Sequence, residues 1–126
     1  MSKTRIPKDI QHEVWWKAAG RCEFKGCNKP LYKHGITLDK CKISELAHII
    51  GDSENGPRGD KELSKALAKD PKNIMLLCPE CHRYIDNEGK EKYTAEMLFE
   101  MKKRHEDRVA RLTSLGEDLQ AHVVTY

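Results

Sequence analysis

Apolar residues fall in short, separated groups along the chain, and the spacing inside each group predicts the elements. Ile10, Val14 and Lys17 or Ala18 repeat at helical spacing between Pro7 and Gly20, which predicts a helix over residues 9–19. Residues 44–50 take on strand character towards their end, and the apolar run 73–77 reads as a second, buried strand. Between them, residues 51–60 (GDSENGPRGD) are dense in turn formers and read as a loop, followed by a short amphipathic helix over 61–68 that Asp70-Pro71 closes. Residues 82–87 open another helix. Thr94 is placed to cap a long final helix that Gly116 ends. In that helix Leu98, Met101, His105 and Leu112 share a face, with Lys102, Lys103, Arg104, Arg108 and Arg111 on the others. The mixture predicts a small α+β domain over residues 1–115. Residues 116–126 form a linker, and their apolar, β-branched end is expected to start a further domain of a longer protein.

Composition narrows the picture. With 126 residues, 38% apolar and 34% charged, the chain has a modest core, of the size that a metal or disulfide often staples. No run nears the ~18 apolar residues of a membrane span, and no apolar signal segment opens the chain. A cytoplasmic setting and no membrane partner are therefore expected, and paired cysteines are read as metal ligands rather than disulfides. The net charge of +3 is unevenly spread, because residues 1–33 hold eight Lys/Arg against three acids. That bias suits phosphate contact, and it equally suits a solvated lysine-rich face.

Two cysteine pairs stand on short turns, Cys22 with Cys27 and Cys78 with Cys81, and Gly26 can supply the positive φ that the first turn needs. Zinc takes four tetrahedral ligands at ~2.3 Å from sulfur, and two such knuckles provide them. Fifty residues separate the pairs, so a structural Zn²⁺ here would join two distant parts of one fold. Cys41, with no partner at knuckle spacing, reads as a small buried apolar residue. His48 ends the first strand, Asn73 begins the second, and His82 follows the last cysteine directly. The remaining histidines, His12, His34, His105 and His122, read as ordinary surface or core residues.

The order WWKAAGRCEFKGC, SELAHII, NIMLLCPECHRYID resembles the HNH endonuclease family over roughly residues 10 to 105. The resemblance implies a ββα-metal nuclease domain with a structural four-cysteine zinc site, flanking helices, and double-stranded DNA as substrate. It implies neutral His48 as the general base for a water attacking phosphorus, and Asn73 as a residue that orients His48 or gives a metal oxygen. His82 would ligate one catalytic divalent cation, Mg²⁺, with Mn²⁺ or Ni²⁺ able to substitute. Many members carry an Asp or His directly before the base, where this chain has Ala47. Asp52, Asp60 and Glu45 are the candidates to complete the metal shell. Arg58, in Asn-Gly-Pro-Arg-Gly-Asp, is expected to bind DNA by forking onto a phosphate.

Within the family, AHIIGDSENGPRGD and the tail LQAHVVTY resemble the HNH–SAVED effectors of bacterial cyclic-oligonucleotide (CBASS) anti-phage systems. That resemblance implies DNA degradation with little sequence preference, a cyclic oligonucleotide bound only through a following SAVED-like domain, and a full-length homo-oligomer. Two alternatives stay open: a standalone HNH nuclease of restriction or homing type with sequence preference, and a zinc-knuckle DNA-binding module without catalysis. The ordered set His48, Asn73, His82 argues against the pure binder.

Overall fold

The computed structural model describes residues 4–34, 36–40 and 42–114. Cys41, His122 and the tail after Ser114 lie outside the described residues. The elements run α1 (Lys8–Ala18), β1 (Glu45–His48), α2 (Leu63–Ala66), a 3-10 turn (Pro71–Asn73), β2 (Ile74–Leu77), α3 (Pro79–Asp86) and α4 (Ala95–Thr113). The α+β class expected from the sequence is what the structure shows. Among the described residues no helix is long and apolar enough to cross a membrane.

β1 and β2 form an antiparallel pair with Glu45 opposite Leu77 and His48 opposite Ile74. All four residues of β2 are buried, because β2 is covered on both faces and flanked on both edges. Its second edge is taken by the first knuckle: the Glu23 N–H donates to the Leu76 carbonyl at 2.8 Å, and the Leu76 N–H donates to Glu23 Oε1 at 2.8 Å. A buried glutamate thus does the work of a strand carbonyl. Burial, with Glu106 alongside, pushes its carboxyl up to about 9, while Lys102 pulls the other way. Lys102 is itself buried and paired with Glu106.

α1 packs on α4, with Val14 and Ala18 facing the core that Leu98 and Met101 enter from α4. Helix α1 ends at left-handed Ala19 and Gly20 (φ 56° and 66°), a reversal that glycine takes without strain. The Thr94 hydroxyl accepts from the Met97 N–H at 3.2 Å and caps α4 as expected. Leu112 differs from the expected stripe: it is exposed, two turns beyond His105, the last buried residue of α4.

His105 is a core histidine, as its sequence context suggested. It is 5% exposed, and its Nε2–H donates to the Ala18 carbonyl at 2.8 Å, satisfying one orphan carbonyl at the end of α1. Burial lowers its pKa below the usual value. The unfolded chain therefore binds the proton more readily, and stability falls as pH drops below about 6.5. His105→Gln keeps a donor for Ala18 and removes the titration. The melting temperatures of the two proteins are expected to converge as pH falls from 7.5 to 5.5, read by thermal denaturation at each pH.

Candidate functional site

The four knuckle sulfurs lie within 4.8 Å of one another. A tetrahedral zinc site with ~2.3 Å bonds sets its sulfurs ~3.8 Å apart, so this donor set fits a metal of zinc's type. Local chemistry builds each half. Gly26 adopts φ 86° in the first knuckle, as its position predicted. In the second, Cys78 is the N-cap of α3, Pro79 occupies the first helical position, and Cys78 Sγ accepts from the Cys81 N–H at 3.4 Å. Burial pushes the Cys22 thiol up to about 12. Burial also acts upward on Cys78, yet hydrogen bonds from the Cys81 N–H and the neighbouring thiols hold it below its usual value. Metal entry must therefore release protons from buried thiols. Phe24, Tyr84 and Tyr93 meet edge-on at 5.2–6.5 Å between ring centroids and tie the first knuckle to α3 and the chain leading into α4.

α3 starts at Pro79, three residues before the expected start. His82 and Asp86 lie one turn apart inside this helix, as they do in the expected one. His82 is held between two carboxylates: Nδ1 to Glu45 Oε1 at 2.7 Å, and Nε2 to Asp86 Oδ2 at 3.2 Å. The bond to Asp86, outweighing burial and joined by Glu45, raises the His82 pKa. Burial acts upward on Asp86, but His82 and Arg58 together hold its carboxyl below the usual range. The protonated ring can donate one N–H to each carboxylate, and a divalent cation at either nitrogen would take the place of one of those protons. Glu45 was among the candidates for this role. Asp86 was not, and its i, i+4 relation to His82 was the available signal.

His48 lines the same cleft, a space of about 210 Å³ that also takes in His82, Asp86 and Asp52. Its Nε2 lies 2.8 Å from the Ala68 carbonyl. A carbonyl only accepts, so Nε2 carries the proton, and the lone pair of neutral His48 sits on Nδ1. Asn73 supports this from below. It is 1% exposed; its Oδ1 accepts from the Ile50 N–H at 2.8 Å, and its Nδ2 donates to the carbonyls of Ile50 (3.0 Å) and Leu67 (3.2 Å). It ends the 3-10 turn rather than beginning β2. Asn73 therefore orients the segments on either side of His48, and its buried oxygen, bonded to the Ile50 N–H, does not line the cleft. Asp60 is also placed elsewhere: its Oδ1 accepts from the N–H groups of Glu62 and Leu63 at the start of α2. Ala47 is buried in the core, so the position before His48 offers the cleft nothing.

Arg58 corrects the expectation of a phosphate fork. Its side chain is 6% exposed and turned inward. Nε donates to the Ile49 carbonyl (2.6 Å), one terminal nitrogen to Ile85 (2.9 Å), and the other to Asp86 (2.8 Å) and, more weakly, His48 (3.4 Å). The guanidinium thereby clamps the exit of β1 to the end of α3, joining the two halves of the cleft. Arg58→Ala would strand three carbonyls and a carboxylate, and is expected to lower the Tm by more than about 10 °C, from the cost of breaking a buried pair. Arg58→Lys is expected to recover only part, since one ammonium cannot span four acceptors. Differential scanning calorimetry of both variants reads this directly.

An antiparallel strand pair and a following helix, set against a four-cysteine cluster, make up the ββα-metal arrangement. The chain belongs to the HNH endonuclease family: the model of that family, described as HNH endonuclease, matches residues 22–88, more than half of its length. α1 and α4 lie outside the match. No curated protein matches the chain.

Proposed function

We propose that this domain hydrolyses phosphodiester bonds of double-stranded DNA, with His48 as general base and His82 as ligand of a catalytic divalent cation. The observation that carries the reading is the orientation of His48: its Nε2–H is tied to Ala68, and its Nδ1 lone pair is left for a water in the cleft it shares with His82 and Asp86. A base near neutrality needs that tautomer held before substrate arrives. The Zn²⁺ in the cysteine cluster is structural, holding α3 and hence His82 in place.

His82 presents two nitrogens on different sides of its ring, Nε2 beside Asp86 and Nδ1 beside Glu45, and one nitrogen with its neighbouring carboxylate would suit Mg²⁺, with Mn²⁺ or Ni²⁺ as substitutes. When bound, that cation supplies charge stabilisation at the phosphate and the leaving 3′ oxygen. Among the described residues only the cysteines bring three or more candidate ligand atoms within 4.8 Å of one another. Water and substrate would then complete the shell of a bound catalytic cation, with Ala47 in place of the usual ligand. The protein's own part is to hold the His48 ring through the Ala68 carbonyl and to place it in one cleft with His82 and Asp86.

The role as effector nuclease of a cyclic-oligonucleotide defence system rests on the resemblance of AHIIGDSENGPRGD and LQAHVVTY to HNH–SAVED proteins. It carries with it little sequence preference and an oligomeric full-length protein.

Supercoiled plasmid incubated with the zinc-loaded protein tests the reading. Degradation to a smear with added Mg²⁺ or Mn²⁺, and none with zinc retained but no second cation, is the expected result. Discrete bands would favour a sequence-preferring nuclease. Salt-sensitive binding without cleavage under any cation would favour the binding module.

A further inference from the structure

We infer that Arg5, Lys8, Lys61, Lys65 and Lys69 form the track along which the phosphate backbone of a nucleic-acid duplex is led to the cleft. This rests on the nuclease reading and deepens it by assigning the surface that grips the substrate.

The five cations belong to two stretches far apart in sequence, and the fold makes them neighbours. Lys61, Lys65 and Lys69 line one depression together with Thr4 and Asp52, and both of these also wall the catalytic cleft. Arg5, Lys8 and Lys69 line a second depression, which shares Ile6 with the cleft. Lys69 lies in both. It directly follows Ala68, whose carbonyl holds the His48 ring, so the track ends one residue from the base. The three lysines are four residues apart around the helical turn of α2, where Ser64 N–H donates to Asp60 and Leu67 N–H to Leu63.

Placement beside the cleft, and not pairing alone, distinguishes these cations: Lys25, Lys29 and Arg83 are among others without an ion pair among the described residues, and they line neither depression. Lys17, Lys102, Lys103 and Arg104 each bind a carboxylate four residues away on their own helix. Three of the five cations that make α4 look basic in the sequence are thus neutralised on the helix itself, while Arg108 and Arg111 make no ion pair among the described residues. Among the described residues none of the five track cations makes an ion pair, and all five are exposed. Two acids, Asp52 and Glu54, line the first depression, and none lines the second. Asp52 stands on the cleft side, where Oδ2 accepts from the Thr4 N–H at 2.7 Å. A run of five unneutralised cations over two joined depressions matches an extended array of phosphates, one charge per ~1.7 Å of duplex, rather than a single small anion.

The test is binding, measured in a His48→Ala background with Mg²⁺ so that the duplex survives. A short labelled duplex is titrated by fluorescence anisotropy over a salt series. Combined Lys61→Gln, Lys65→Gln and Lys69→Gln is expected to weaken binding about tenfold or more and to flatten the salt slope by about 3, one unit per lost phosphate contact. Combined Arg5→Gln and Lys8→Gln should flatten it by about 2. Lys103→Gln and Arg104→Gln together, both paired on α4, should leave affinity and slope nearly unchanged. Unchanged binding by the track variants, or a loss confined to the α4 variant, overturns the track while metal-dependent cleavage by wild type leaves the nuclease reading standing. A background protein that binds no duplex overturns the track as well; absence of plasmid cleavage by wild type separately removes the reading beneath it. Circular dichroism and zinc content confirm that each variant is folded.

Discussion

His48→Ala is expected to slow DNA cleavage by about 10²–10⁴-fold, the usual contribution of a positioned general base. The expectation follows from where the proton sits. Ala68 can only accept, so the ring is held as the Nε2–H tautomer with Nδ1 basic, and no other described histidine shares that cleft except His82, which two carboxylates already engage. The substitution should leave the fold nearly intact, because it removes one hydrogen bond worth about 1 kcal/mol. Single-turnover cleavage of a short duplex at saturating protein isolates the chemical step and reads the loss.

The second large effect concerns the cysteine cluster. Cys78→Ser is expected to abolish cooperative folding at 37 °C. Cys78 is 1% exposed, supplies a sulfur to the cluster and caps α3, so the metal and the start of the helix that carries His82 and Asp86 depend on the same atom. Structural zinc contributes roughly 10–16 kcal/mol of apparent binding energy, as much as the whole stability of a domain this size. Serine's oxygen is a poorer ligand for the ion and would sit protonated in a buried place. Zinc content, together with the far-ultraviolet circular dichroism melt, checks the prediction: no bound zinc and no sigmoidal transition. A variant that melts cooperatively within a few degrees of wild type would remove the cluster from the support of the fold.

Those features that depend on local spacing were legible in the sequence. The knuckles, the Thr94 cap, the loop over residues 51–60 and the two strands follow from short-range rules of turn, cap and alternation. Features set by tertiary placement were not. Whether an arginine faces a phosphate or a carbonyl depends on what lies across the fold, and the residues that capture Arg58 come from the exit of β1 and from α3, up to 28 positions away. Glu23 reads as a surface residue beside a zinc knuckle, and only its approach to the edge of β2 explains why it is buried. The Ala68 carbonyl that orients His48 is backbone and leaves no trace in side-chain pattern. Asp86 was within reach: whether the helix opens at Pro79 or at His82, His82 and Asp86 fall one turn apart.

Rescue of a His48→Gly variant by imidazole tests the central claim most directly, with cleavage of a defined duplex followed in Mg²⁺ and zinc content matched to wild type. The account predicts a folded, inactive variant whose cleavage returns as imidazole is added, since a soluble ring then supplies the lone pair that Nδ1 provides in the cleft. A folded, zinc-loaded His48→Gly protein that cuts at the wild-type rate without imidazole would contradict it.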